Sequence, residues 1–133
     1  AAAASREAAW LAGPDLRGDS ADFILTKWPF DLLHALLAAV LLPGRLRVVH
    51  CRRDLRDVAV SVYIEHFKRS GSLLWTFDLG AMQRFFEAYL DLGDHVHGLL
   101  PRDVLAQVWY EDLVGDFDGT LASVARFLGL AWD

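Results

Sequence analysis

The sequence predicts an α/β protein built on a parallel sheet, and three observations carry that expectation. Short Val- and Leu-rich runs alternate with longer segments whose apolar residues recur at helical spacing. Gly and Pro punctuate the junctions, as at Pro43-Gly44 and Gly129. Strands that alternate with helices form βα units, and βα units assemble into parallel sheets.

Taken in order, residues 6 to 12 read as a helix, followed by a polar connector from Gly13 to Ser20. Asp22 to Thr26 is a short strand candidate. Pro29 suits the first turn of a helix running to about Leu42, which Pro43-Gly44 ends. Leu46 to Cys51 is a second strand, rich in Val. A helix follows from Asp54 or Asp57 to Phe67, with Asp57 placed favourably near the positive end of the helix dipole. Ser70-Gly71-Ser72 reads as a loop. Leu79 to Leu99 is a long helix in which Met82, Phe85, Phe86, Tyr89 and Leu92 form a core-facing stripe. Pro101-Arg102-Asp103 is a turn, Val104 to Trp109 a third strand, and Phe117 to Leu128 a last helix capped by Gly129. Leu121, Val124, Ala125 and Leu128 share one face of that helix. Ligands of open α/β sheets bind beyond the carboxyl ends of the strands. Lys27, Arg53 and Tyr110 lie at or just after expected strand ends, which would set all three on one rim.

Composition narrows the possibilities. A chain of 133 residues is enough for one domain, and 54% hydrophobic against 23% charged residues supports a packed core rather than disorder. A net charge of -5 argues against a nucleic-acid partner. The single Cys51 excludes an internal disulfide framework, and beside a strand it reads as a buried, inert thiol. No CxxC or His–Cys spacing suggests a metal, and His95 and His97, two apart, fall on different faces of a helix. The greasiest run, Leu32 to Leu42, is 11 residues long, whereas a bilayer span needs about 20. The opening Ala-Ala-Ala-Ala-Ser lacks the basic region of a signal peptide, so a cytoplasmic location is expected. It also lacks an initiator Met, and the chain reads as an excerpt from something longer.

Against that acidic background, Arg45, Arg47, Arg52, Arg53 and Arg56 crowd between positions 45 and 56, around a strand that feeds a turn and a helix start. A helix N-terminus offers backbone N–H groups and a positive dipole end to an anion. Arginine adds a planar fork suited to phosphate. The turn therefore reads as a site for a phosphate-bearing ligand. The alternative is that these arginines are solvated or paired with Asp54 and Asp57.

The same residues resemble the sulfotransferases that use 3′-phosphoadenosine 5′-phosphosulfate (PAPS), and within them the branch containing the tyrosylprotein sulfotransferases and bacterial relatives. The family element Cys-Arg-Arg-Asp-Pro-Arg-Asp, an aliphatic run and Ser stands here as Cys51-Arg52-Arg53-Asp54-Leu55-Arg56-Asp57 through Ser61. Thr26-Lys27-Trp28-Pro29-Phe30 is similar to the family's Asp-Lys-x-Pro-Phe, Tyr110-Glu111-Asp112-Leu113 to its Tyr-Glu-Asp-Leu, and Phe127-Leu128-Gly129-Leu130-Ala131-Trp132 to its Phe-Leu-Gly-Leu-x-Trp. The likeness covers roughly residues 22 to 133, with four elements in register. It departs at Leu55 for Pro, Thr26 for Asp, and the bulkier Trp28.

The resemblance implies a three-layer, P-loop-NTPase-like parallel sheet flanked by helices and truncated at its N-terminus. Residues 1–133 would form a single, partial sulfotransferase domain, with 1–21 a poorly assigned N-terminal segment. It implies PAPS as sulfuryl donor and no metal. Arg53 and Ser61 would bind the 3′-phosphate, Tyr110 would lie near the adenine, and Lys27 would assist the leaving group. Arg52 and Arg56 would steer the nucleotide, while Glu111 and Asp112 would cap or pair structurally. The acceptor could be a peptide tyrosine, a carbohydrate, a lipid or a small alcohol. No G-x-x-x-x-G-K-[ST] run exists anywhere in the sequence, so the 5′-phosphosulfate loop is not in this chain. Two alternatives stay open: a non-catalytic nucleotide-binding or interaction module that keeps the 3′-phosphate site, and another nucleotide-dependent transferase or kinase with a convergent Arg turn.

Overall fold

The computed structural model describes residues 24–28, 30–65 and 71–132. The expected N-terminal helix and connector, Asp22, Pro29 and Phe67 lie outside them. After an irregular segment, a 3-10 turn (Asp31–His34) leads into α1 (Ala35–Leu41). Gly44, at φ 72°, turns the chain into β1 (Val48–Arg52), and α2 (Leu55–Ile64) follows directly. A second 3-10 segment (Gly71–Phe77) precedes the long α3 (Leu79–Leu99). The chain then forms β2 (Leu105–Trp109), the short α4 (Tyr110–Gly115) and α5 (Phe117–Leu128).

The local chemistry explains these boundaries. Asp54, Asp78 and Asp116 stand before α2, α3 and α5, and each side chain accepts a backbone N–H from the first turn. Gly129, at φ 74°, ends α5. Leu130 N–H reaches back to Ala125 O at 2.8 Å and Gly129 N–H to Arg126 O at 3.2 Å, bonds that satisfy the last carbonyls of a helix. The bounds of α3 and α5 coincide with the expected ones.

Among the described residues the sheet has two strands, β1 and β2, paired in parallel from Val48↔Leu105 to Arg52↔Trp109. α2, the second 3-10 segment and α3 make the crossover between them. The main core joins the first turn, α3 and β2. Leu32, Ala35, Val96 and Leu105 are buried together, with Leu36, Val48, Tyr89, Leu92 and Leu100 packed around them. A second cluster stacks Trp75 on Phe85, ring centroids 4.0 Å apart, beside the fully buried Met82. One face of α1 and one of α3 are thereby used. On the outer faces Leu37, Val40 and Leu41 of α1 and Val60 and Tyr63 of α2 remain exposed.

Four expectations are corrected. Residues 24–28 form no strand: the Thr26 hydroxyl and the Trp28 N–H both donate to Asp31 Oδ2, at 3.1 and 2.9 Å, and this local bonding competes with a ladder. The single helix expected up to Leu42 is instead a 3-10 turn followed by seven α-helical residues. The expected loop at 70–72 meets a 3-10 helix that begins at Gly71. Cys51 is exposed, because strand alternation sends His50 into the core and its neighbour to the opposite face.

Candidate functional site

The strongest geometric feature lies at the carboxyl end of the sheet. The strands pair with a constant offset of 57 positions, and this offset outlasts the ladder. At its last rung, Arg52↔Trp109, the Arg52 Cζ lies 4.7 Å from the Trp109 ring centroid. One residue on, Arg53 Cζ lies 4.5 Å from the centroid of Tyr110. One further on, the Asp54 N–H donates to Glu111 Oε1 at 2.9 Å. The sequences Arg-Arg-Asp and Trp-Tyr-Glu thus face each other residue by residue. Two cation–π contacts and a charge-assisted hydrogen bond extend the sheet into the Arg-rich turn.

Within that turn the arginines differ. Arg56 is committed: its Nη2 and Nε donate to Asp54 at 2.6 and 3.0 Å, while Asp54 Oδ1 also accepts the Arg56 N–H at 2.8 Å and caps α2. The bonds from Arg56 hold the Asp54 carboxyl down at a pKa of about 2. The same pairing pushes the Arg56 guanidinium above its ordinary value.

Arg53 is held loosely. Its only ion pair among the described residues is a 3.4 Å contact from Nη2 to Asp57 Oδ2. Its Nε is buried with no hydrogen-bond partner, although the side chain as a whole is 39% exposed. A buried donor without a partner is costly, and here it belongs to a charged group beside open solvent. The exposed part of the guanidinium is open to a further partner.

The structure brings Arg53 and Tyr110 into contact. Ser61 is exposed on α2, one turn beyond Asp57, so residues 57 and 61 share the face that Arg53 reaches. Lys27 is exposed in the irregular segment braced by Asp31. Among the described residues no hydrogen bond, ion pair or ring contact links it to Arg53, Ser61 or Tyr110. Glu111, expected to cap or pair, pairs with the turn. An open cleft of about 530 Å³ also lies between β2, α4 and α5, but Glu111, Asp112 and Asp116 line it, a poor setting for an anion.

A buried cluster behind the rim was not foreseen from the sequence. His50, 6% exposed in the centre of β1, shares hydrogen bonds with His97 Nε2 through Nδ1 at 2.9 Å and with the Tyr89 hydroxyl through Nε2 at 2.8 Å. Burial, with His97 and Arg52 nearby, lowers the His50 pKa to about 4, so the ring is neutral near pH 7. Burial also raises the Tyr89 hydroxyl above its ordinary value. His50 and His97 are 47 residues apart, and no local signal pairs them. The pairing of Arg52 with Trp109 was also missed, but it could be found by setting the two strand ends side by side.

Comparison with known proteins agrees with the motifs at this rim. A family model described as the sulfotransferase family matches residues 3–133. The chain belongs to the sulfotransferase family. This sulfotransferase-family chain is also 25% identical over 111 residues to an uncharacterized protein of Aquifex aeolicus (strain VF5), an alignment covering 83% of this chain and 14% of the relative. The chain therefore spans only a small part of that relative's length. No solved structure matches it significantly. Among the described residues, no group of three or more His, Cys, Asp or Glu is placed to hold a metal, and no helix is long and apolar enough to cross a membrane.

Proposed function

We propose that this sulfotransferase-family chain takes part in transferring a sulfuryl group from PAPS to a hydroxyl or amine acceptor. In this reading the two strands belong to a three-layer, P-loop-NTPase-like sheet, and residues 1–133 are a partial sulfotransferase domain. The observation that carries the reading is Arg53, a cation on Tyr110 with a buried Nε still lacking a partner. Those features fit a nucleotide that presents a phosphate and a flat base together. Arg53 gives the 3′-phosphate a planar fork, and Ser61 adds a hydroxyl donor from the next turn of α2. Tyr110, 46% exposed, offers ring surface to adenine.

PAPS, when bound, supplies the activated sulfuryl group. The role of Lys27 in this reading is to bring a positive charge to the oxygen on which negative charge develops as the sulfuryl group leaves.

The test is calorimetric titration of the chain with adenosine 3′,5′-bisphosphate, with Arg53→Ala and 5′-AMP as controls. Binding that the substitution abolishes, and that is much weaker for 5′-AMP, is the expected result. Equal affinity for both nucleotides would refute a 3′-phosphate site. A second reading, a non-catalytic nucleotide-binding module, draws on the lack of a P-loop-type run in the sequence. It predicts bisphosphate binding without consumption of PAPS in the presence of any acceptor.

A further inference from the structure

We infer that Glu111 is a positioning residue for the anion site: by accepting the Asp54 N–H it holds the arginine turn so that Arg53 stays on Tyr110. The inference rests on the proposal that Arg53 binds a nucleotide phosphate.

The geometry gives Glu111 a task that its charge alone does not explain. A carboxylate close to an anion site repels the ligand and should weaken binding. Yet Glu111 Oε1 lies 2.9 Å from the Asp54 nitrogen, the residue next to Arg53, while Glu111 is itself next to Tyr110. The ladder stops at Arg52↔Trp109, so beyond it only side chains can keep the two turns in register. The Arg53–Tyr110 contact is one such tie and the Glu111–Asp54 bond is the next.

The rest of the turn cannot replace that bond. The Asp54 carboxylate is occupied by Arg56 and by the α2 cap, and both partners lie on the same side of the turn. Asp57 holds Arg53 only at 3.4 Å, also from within α2. Glu111 is therefore the hydrogen-bonding link, among the described residues, between the start of α2 and the start of α4. Without it the Arg53 side chain can leave the Tyr110 face as the turn drifts, and the fork loses its preset orientation.

The sign of the effect separates positioning from charge. Glu111→Ala removes both the carboxylate and the hydrogen bond. If the carboxylate only repels, bisphosphate affinity rises; if it positions, affinity falls, by about tenfold for the loss of one charge-assisted bond. Glu111→Gln keeps a carbonyl acceptor and removes the charge, and should hold wild-type affinity or exceed it slightly. The experiment is titration of wild type, Glu111→Ala and Glu111→Gln with adenosine 3′,5′-bisphosphate, with amide hydrogen exchange at Asp54 measured without ligand. The expected result is weak binding and fast Asp54 exchange in the alanine variant, with both restored in the glutamine variant. Wild-type affinity in Glu111→Ala, or an equal loss in both variants, would overturn the inference. If wild type binds no bisphosphate, the nucleotide reading fails separately. Unchanged Asp54 exchange in Glu111→Ala would then also sink the positioning role, while exchange that is fast in Glu111→Ala and slow again in Glu111→Gln would sustain the clamp.

Discussion

His50 in the centre of β1 and Arg53 just past its end stand three residues apart, and their surroundings differ in kind. Both ring nitrogens of His50 have partners from α3, and the side chain is almost wholly enclosed. The Arg53 guanidinium has one long ion pair, one aromatic face and one nitrogen left without a partner. The first is a polar group whose requirements the fold meets, so it ties the strand to the helix. The second is under-satisfied: its unpartnered nitrogen is buried while the side chain around it is partly exposed. Burial with full satisfaction marks structure here, and partial exposure with incomplete satisfaction is what the proposed anion site would draw on.

Four measurements would break or sharpen this contrast. The largest effect is expected from Arg53→Ala, which should lower affinity for adenosine 3′,5′-bisphosphate by about 100-fold or more through loss of a charged, bidentate donor. The same change should cost less than about 1 kcal/mol in urea unfolding, because its ion pair is exposed. A large stability loss would erase the distinction between the two residues.

The second measurement is the pH dependence of stability. An unfolded histidine titrates near 6.5, whereas folded His50 titrates near 4. Between those values the unfolded chain binds the extra proton, so stability rises with pH across this window and is fully present above it. Wild type should lose on the order of 2–3 kcal/mol from this group between pH 7 and pH 4. Urea titrations of wild type and His50→Gln at several pH values isolate the contribution. Parallel profiles would show that the buried ring is not held neutral.

Third, Tyr89→Phe leaves His50 Nε2 without its partner and should cost about 1–2 kcal/mol, read from the same unfolding curves. Bisphosphate affinity should change little, since Tyr89 serves the buried centre of the strand. The smallest effect belongs to Asp57→Asn. It removes the carboxylate that competes for Arg53 and should tighten bisphosphate binding by about threefold. Weaker binding would mean that Asp57 orients Arg53 rather than competing with the ligand.

Legibility in the sequence followed the range of the interaction. α3 and α5 announced themselves through 3.6-residue periodicity, with Gly129 after the second, whereas their Asp caps emerged only in the structure. β1 and β2 were visible as short Val-containing runs between helices. The strand expected from Asp22 was not seen over residues 24–26, because Asp31 captures that segment through contacts no propensity encodes. At the site, the sequence pointed to Arg53 and Tyr110 through their motifs. The contact between them, and the slack on the Arg53 ion pair, depended on how the two strand ends were set in register.

By itself the sequence determined the α/β class, the basic turn between a strand and a helix, and the likeness to sulfotransferases. These follow from neighbours within a few positions and from motif spacing, which are local properties of the chain. Only the tertiary structure decided which arginine is tightly paired and which only loosely, that Glu111 bridges to Asp54 across 57 residues, and that His50 is buried against Tyr89 and His97. Those outcomes depend on which distant groups share one small volume. Desolvation and hydrogen bonding act between groups that are adjacent in space, whatever their separation along the chain.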